Sequence, residues 1–395
     1  MDDFNDSAAL LRGQMPVVEK YAYFDHAAVA PLPRATASAI QKYAQTASMH
    51  GDARWLDWRN ELESLRNDLA AMLRCQAKEI CLLNNTTHGI NLVAEGVRWR
   101  PGDNVVVPDN EFPSNMIPWQ NLRRLGVEVR QVKTSAGGVV SADSMRPYMD
   151  SKTKLVAASW VGFATGFRLD PSPIAQLAHE YNALFLLDAI QGLGAFPLDV
   201  SASGVDFVVA DGHKWLLGPE GAGFMFARQA ALERLQPIGL GWSSLASGAF
   251  DLEPGAMLLD SIKQDASRYE AGTYNMGGMQ GFAQSIRLLS ECGVSEGTLA
   301  QSILANVSEL TGQLNRIGVD VHVPAREQER SGIVGASWAD CTAGDKSLRA
   351  AWKWLLQRQV VTSVRAGRMR IATHAYNSTE EIERLATELS AFLSA

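Results

Sequence analysis

The sequence is poor in cysteine. It has four in 395 residues, Cys75, Cys81, Cys292 and Cys341, and none forms a C-x-x-C pair. A disulfide framework of the kind that staples small secreted folds is thereby excluded, and reduced, mostly buried thiols are expected. Excess positive charge is missing too. Lysine and arginine number 36 against 43 aspartates and glutamates, a net charge of -7. The chain therefore lacks the electrostatic footprint of a binder of nucleic acid or anionic membranes, and neither partner is expected. No stretch approaches the roughly 18 apolar residues of a spanning helix, and the opening MDDFNDSAALLRGQ has neither the basic segment nor the apolar core of a secretion signal. A cytoplasmic protein is expected. The seven histidines are dispersed without ligand spacing such as H-E-x-x-H, so no metal site is expected. Internal repeats and low-complexity linkers are absent as well.

Apolar content, by contrast, is ample. At 46% hydrophobic and about 150 residues per domain, the length fits two domains. From about residue 65 to 228, amphipathic helices alternate with short, mostly apolar runs near 80–83, 104–107, 128–132, 155–159, 184–187, 206–210 and 223–227. Continuously apolar runs of this kind suit strands buried on both faces. The pattern predicts an α/β fold: a large domain, 18–260, with a mainly parallel seven-stranded sheet between helices. The remainder, 261–395 with 1–17, reads as a smaller C-terminal α+β domain. Its expected helices lie near 277–292, 298–317, 347–357 and 379–393, and its expected strands near 319–323, 360–364 and 368–372.

In open α/β sheets, ligands sit beyond the carboxyl ends of strands, so polar residues that end apolar runs carry the first functional signal. Leu184-Phe185-Leu186-Leu187 ends in Asp188. Phe207-Val208-Val209-Ala210 ends in Asp211-Gly212-His213-Lys214. Cys81-Leu82-Leu83 runs into Asn84-Asn85-Thr86-Thr87-His88-Gly89, which opens a helix. A lysine desolvated at a strand end has a lowered pKa, which an amine needs in order to form an imine with an aldehyde. The aldehyde implied is pyridoxal 5'-phosphate (PLP). Its ring nitrogen needs a carboxylate, for which Asp188 is the candidate, and Thr86, Thr87 and the helix amides suit its phosphate.

Taken together, Asp188-Ala189-Ile190-Gln191, Asp211-Gly212-His213-Lys214-Trp215, Tyr269-Glu270-Ala271-Gly272-Thr273 and the early Tyr23-Phe24-Asp25-His26-Ala27-Ala28 resemble the class V aminotransferase family. That family belongs to the PLP fold type I enzymes and includes cysteine desulfurases, selenocysteine lyases and isopenicillin N epimerase. The resemblance implies that Lys214 is catalytic and holds PLP as a Schiff base, Asp188 pairs with the pyridine nitrogen, and Gln191 donates to the phenolic oxygen. His213, Thr86 and Thr87 would contact the phosphate, with Asp211 where many relatives have a phosphate-binding serine. Thr273 would reach the phosphate of a neighbouring subunit, which implies a homodimer. Phe112 stands where desulfurases stack a histidine on the cofactor ring. Arg370, in Arg368-Met369-Arg370-Ile371-Ala372-Thr373-His374-Ala375-Tyr376-Asn377, would clamp a substrate carboxylate, with Arg368 a weaker candidate for a second anion. Trp160 and His26 are the remaining substrate-binding candidates, and His88 is a lesser one.

One departure bears on the reaction. Desulfurases of the family carry a nucleophilic cysteine in a loop between an arginine-glycine turn and the carboxylate-binding arginine. Here Val364-Arg365-Ala366-Gly367-Arg368-Met369-Arg370 runs from turn to clamp with no cysteine. The expectation is an enzyme acting on a small amino acid through α-proton abstraction, a C–S or β-lyase or an epimerase. The alternatives are an aminotransferase using a keto acid and a PLP-binding protein without catalysis.

Overall fold

A computed structural model of the chain describes residues 2–135, 137–246 and 261–395. The seven expected strands form one sheet, ordered Ile80–Leu83, Gly223–Ala227, Phe207–Asp211, Leu184–Asp188, Thr153–Ser159, Asn104–Pro108 and the more polar edge strand Glu128–Val132. Only Gly223–Ala227 runs against its neighbours; the other pairs are parallel. Alternation along each strand feeds two cores. Val156, Phe185, Leu187 and Val208 pack with Leu65, Leu69, Ile174 and Phe282 on one face. Leu155, Leu184, Leu186 and Val209 pack with Ile90, Val93 and Trp119 on the other. Both faces are thus covered by helices, which is why these strands carry so few polar residues.

A second sheet is antiparallel, ordered Ser363–Arg365, Arg368–Ala372, Ile333–Ser337, Asp320–His322. Helices Thr298–Arg316, Leu348–Gln357 and Thr379–Ser394 cover it through Leu310, Leu355, Leu385 and Leu389. The last of these helices opens with a capping box between Ser378 and Glu381. Ala22–Tyr23 pairs in parallel with Val360–Val361, and Phe24 joins this second core, so the early segment bridges the two parts. The boundary expected at residue 260 lies outside the described residues. The helix Met276–Glu291 beyond it packs through Phe282, Ile286 and Leu289 into the core of the large sheet. No helix among the described residues is long and apolar enough to cross a membrane.

Candidate active site

The carboxyl ends of the central strands open into a cavity of about 400 Å³ lined by Thr86, Thr87, Phe112, Asp188, Gln191, Asp211, His213, Lys214 and Arg370, with Ser114, Ser159, Phe163 and Arg365 completing its polar and aromatic wall. The first nine come from segments far apart in the chain, and all nine are residues singled out by the sequence. Their approach depends on tight turns. Gly212 leaves the strand Phe207–Asp211 so close to the Ala222 carbonyl that a Cβ would stand 2.8 Å from that oxygen. Gly194, at φ +95°, lets the turn after Asp188 lie directly on the backbone of Trp215, where any side chain would collide.

Lys214 is surrounded by protein, and burial lowers its pKa to about 8 despite the opposing pull of Asp188 and Asp211; Arg370 and Arg365 lower it further. Burial raises Asp188 to about 6, opposed by the Ile190 N–H and by Lys214. Its Oδ1 accepts that N–H at 3.2 Å, and its partner in register on the next strand is Ser159. Phe112 hangs over the cavity with its ring centroid 5.7 Å from Lys214 Nζ, edge-on to Phe163 at 5.2 Å. Gln191 is buried. Its amide donates one N–H to Ala27 O at 2.9 Å and accepts the Trp215 indole N–H at 2.9 Å, which leaves one amide hydrogen to face a ligand.

The phosphate end is built around the helix Thr86–Gly96, whose N-cap Asn85 accepts from His88 N–H. Thr87 donates to Ser114 Oγ at 2.8 Å. The buried Thr86 Oγ1, Asp211 Oδ1 and His213 Nδ1 have no hydrogen-bond partner within the protein, although His213 Nδ1 lies 3.1 Å from Asp211 Oδ2. Unpartnered buried polar atoms at the rim of one cavity mark where a polar ligand completes the protein. A helix N-terminus with a free hydroxyl beside it fits a phosphate, and an amine, a carboxylate and an aromatic face fit a pyridine aldehyde. Asp211 is the discordant member, because a carboxylate brings an acceptor where a phosphate wants donors.

Arg370 is buried and already engaged on three sides. Nε donates to Ser363 Oγ at 3.2 Å, Nη1 to Phe163 O at 3.0 Å, and Nη2 to Asp25 Oδ1 at 3.3 Å. Ser363 and Arg370 are register partners in a hairpin closed by Ala366 and Gly367, both at positive φ, +46° and +72°, as a two-residue turn demands. Arg365, opposite Arg368 in that hairpin, reaches the cavity wall, whereas Arg368 does not.

The lesser candidate His88 does not line the cavity either, and three further predicted residues lie elsewhere. His26 is fully buried behind the wall, with Nδ1 at 3.0 Å from Ala372 O and Nε2 at 2.6 Å from Tyr376 Oη. Both ring nitrogens are consumed by protein, so neither faces a substrate; Ala27 and Ala28 line the cavity in its place. Trp160 follows Ser159 and points to the opposite side. There it packs on Gly192 and Phe196 and borders a different cleft. Thr273 is exposed in a separate cavity of about 290 Å³ with Trp242, Glu270 and Tyr274. Sequence reasoning missed Glu111, Ser114, Ser159, Asp25 and Arg365. For Glu111 and Ser159 the signal was available, since both sit at or just beyond the end of an apolar strand.

The model of the aminotransferase class V family matches residues 22–385. A probable cysteine desulfurase of Methanothermobacter thermautotrophicus is 30% identical, the alignment covering 96% of each chain. A cysteine desulfurase of Shigella flexneri is 31% identical over 78% of this chain and 80% of its own. Among solved structures, the cystine C–S lyase C-DES in complex with its product cysteine persulfide superimposes with a TM-score of 0.85 at 25% identity, covering 95% of this chain and 99% of that one. A lysine-to-alanine mutant of C-DES, with glycine covalently linked to the PLP cofactor, gives 0.86 at 25% identity over 96% and 98%.

Proposed function

Because the chain belongs to the class V aminotransferase family, we propose that it is a PLP-dependent C–S lyase that cleaves a cysteine- or cystine-type amino acid by β-elimination, without a nucleophilic cysteine. The observation that carries this reading is the two-residue hairpin between Arg365 and Arg368. A two-residue turn supplies no loop able to carry a thiol into the cavity, and none of the four cysteines lines the cavity. The kinship with cysteine desulfurases and the likeness to a cystine C–S lyase support the substrate class.

PLP supplies an electron sink for the carbanion formed when the substrate loses its α-proton. The protein's own groups supply the rest. Lys214, its amine made more available by burial, is the base for that proton. Asp188 holds the pyridine nitrogen, while Thr86, Thr87 and His213 hold the phosphate, and Arg370 takes the substrate carboxylate in a guanidinium oriented by Asp25 and Ser363. Phe112 and Phe163 form an aromatic wall on one side of the cavity. The Cα–H electron pair becomes the new carbon–carbon double bond and the Cβ–S pair leaves on sulfur, which takes up the proton. The released enamine tautomerises to an imine that water hydrolyses to pyruvate and ammonia, so water is the only co-reactant and no oxidant is required. The reading includes a cytoplasmic homodimer. Thr273, exposed and remote from its own cavity, is free to serve a partner's.

Incubation of the holoenzyme with cysteine, cystine and related conjugates tests the reaction. Pyruvate and ammonia in equal amounts are expected. Alanine with protein-bound sulfur would overturn the elimination reading in favour of a desulfurase. Loss of optical activity alone would point to an epimerase, and dependence on added keto acid to an aminotransferase.

A further inference from the structure

Glu111 stands just past the end of the strand Asn104–Pro108 and turns back against the end of the neighbouring strand Thr153–Ser159. It accepts the Ser159 backbone N–H at 2.7 Å, the Ser159 hydroxyl in a short contact, and an amide N–H of Asn115 at 3.0 Å. Asn115 is itself fixed by the indole N–H of Trp119 at 3.0 Å. Among the described residues, no lysine, arginine or histidine forms an ion pair with Glu111. An enclosed carboxyl held by neutral donors alone is a costly way to close a turn. A glutamine would satisfy much of the same network.

Its neighbours supply the reason for a carboxyl. Ser159 is the register partner of Asp188, and partners on adjacent strands project to the same face. Phe112, whose ring stands over the Lys214 amine, is the next residue in the chain. We propose that Glu111 is a positioning residue of the cofactor site: it locks Ser159 beside Asp188, anchors the segment that carries Phe112, and contributes a second carboxylate that favours a protonated cofactor. This rests on the reading of the cavity as the PLP site.

The surrounding charges agree. Burial raises Glu111 to about 7, with Asp188 adding to the rise and the bonds from Ser159 and Asn115 opposing it. From the strand Leu184–Asp188 the facing charge is Asp188, on which Lys214 acts in turn from beyond Phe207–Asp211. On its own segment, Asp109 is engaged by Lys133 and Thr134 instead. Glu111 therefore changes charge close to neutrality, next to the acid that faces the pyridine nitrogen.

Visible absorbance of the PLP-loaded protein, followed against pH, reads this out together with the rate of PLP release. Glu111→Gln is expected to keep the melting temperature of the parent. The midpoint of its absorbance change should fall by roughly half a pH unit or more, because a positive charge loses a nearby negative one. Glu111→Ala is expected to release PLP several-fold faster as well, since Ser159 and Asn115 lose their acceptor. An unchanged midpoint and release rate in Glu111→Gln would overturn the proposal, and would do so even if Glu111→Ala merely melted earlier. Lys214→Ala tests the cofactor site independently of Glu111. If the parent has no visible band for that substitution to abolish, the cofactor reading falls and the role of Glu111 falls with it.

Discussion

Asp25 Oδ1 lies 3.3 Å from Nη2 of Arg370 and accepts the Ser363 hydroxyl at 2.7 Å, so the arginine expected to grip a substrate carboxylate is already tethered to a carboxylate of the protein. Burial pushes Asp25 up and Arg370 down, each against the attraction of the other. The pair leaves the guanidinium aimed but not free to rotate. Asp25→Asn keeps the shape and removes the charge. It should raise KM about tenfold while leaving kcat within about threefold, the loss of one charge-assisted contact. Arg370→Lys should be worse than Asp25→Asn, because an ammonium cannot reproduce a fork held on three sides. Steady-state kinetics of the two variants, with a substrate amine lacking the carboxylate as control, check the ranking.

Lys214 yields a prediction about cofactor capture. An ordinary lysine is almost wholly protonated at neutral pH, but with a pKa near 8 the reactive neutral amine is about 300 times more abundant at pH 7 than in an ordinary lysine. The sign is fixed by burial, which penalises the charged form. PLP uptake by apoprotein should therefore accelerate as pH rises and level off above about pH 8. Stopped-flow absorbance checks the midpoint; one near 10 would mean that the amine is solvated.

Much of this site was legible because a parallel sheet buried on both faces leaves polar residues nowhere to stand except at strand ends. Asp188, Asp211 and Lys214 announce themselves there by contrast with the apolar runs before them. Residues whose role depends on two distant segments meeting did not. Asp25 acquires meaning only when Phe24 pairs with Ala372, and Arg365 only when the hairpin closes. Adjacency in sequence also misled, because Trp160 takes the face opposite to Ser159 and His26 turns behind the wall that Ala27 and Ala28 form. The strand Ile333–Ser337 escaped notice for a local reason: Gly332 and Gly335 interrupt its apolar pattern, and a Cβ at Gly335 would stand 3.3 Å from both Arg368 and His322.

His26 should prove structural. Burial holds it down to about 4, so the neutral ring donates from Nδ1 to Ala372 O and accepts from Tyr376 Oη at neutral pH. Because the unfolded chain binds that proton at higher pH than the folded one, this residue favours folding above the ordinary histidine pKa. Its contribution is lost as pH falls from about 6.5 towards 4. His26→Ala strands a buried hydroxyl and a carbonyl and should cost about 2–4 kcal/mol. Denaturant unfolding of the apoprotein should register that loss, with KM moving little in whatever enzyme still folds.

A cysteine that accepts sulfur must be a mobile, accessible thiol with a thiolate available near neutral pH. Burial raises Cys75 to about 12, aided by Glu79, and Cys292 to about 11, aided by Glu291; burial within the core of the large sheet pushes Cys81 up as well. Cys341 is also buried, in the turn before the helix Leu348–Gln357, and does not line the cavity. Replacing Cys75, Cys292 and Cys341 by alanine should leave the turnover of a C–S substrate within about twofold, because none of these sulfurs takes part in the elimination. Cys81→Ala should lower stability by about 1–2 kcal/mol through lost packing, without changing kcat in the folded fraction. Product assays with and without a thiol-alkylating reagent decide the point. If a single cysteine replacement abolished release of sulfur while Lys214 still held its cofactor, the thiol route would be restored, and the tight turn at Ala366 and Gly367 would have to open during catalysis.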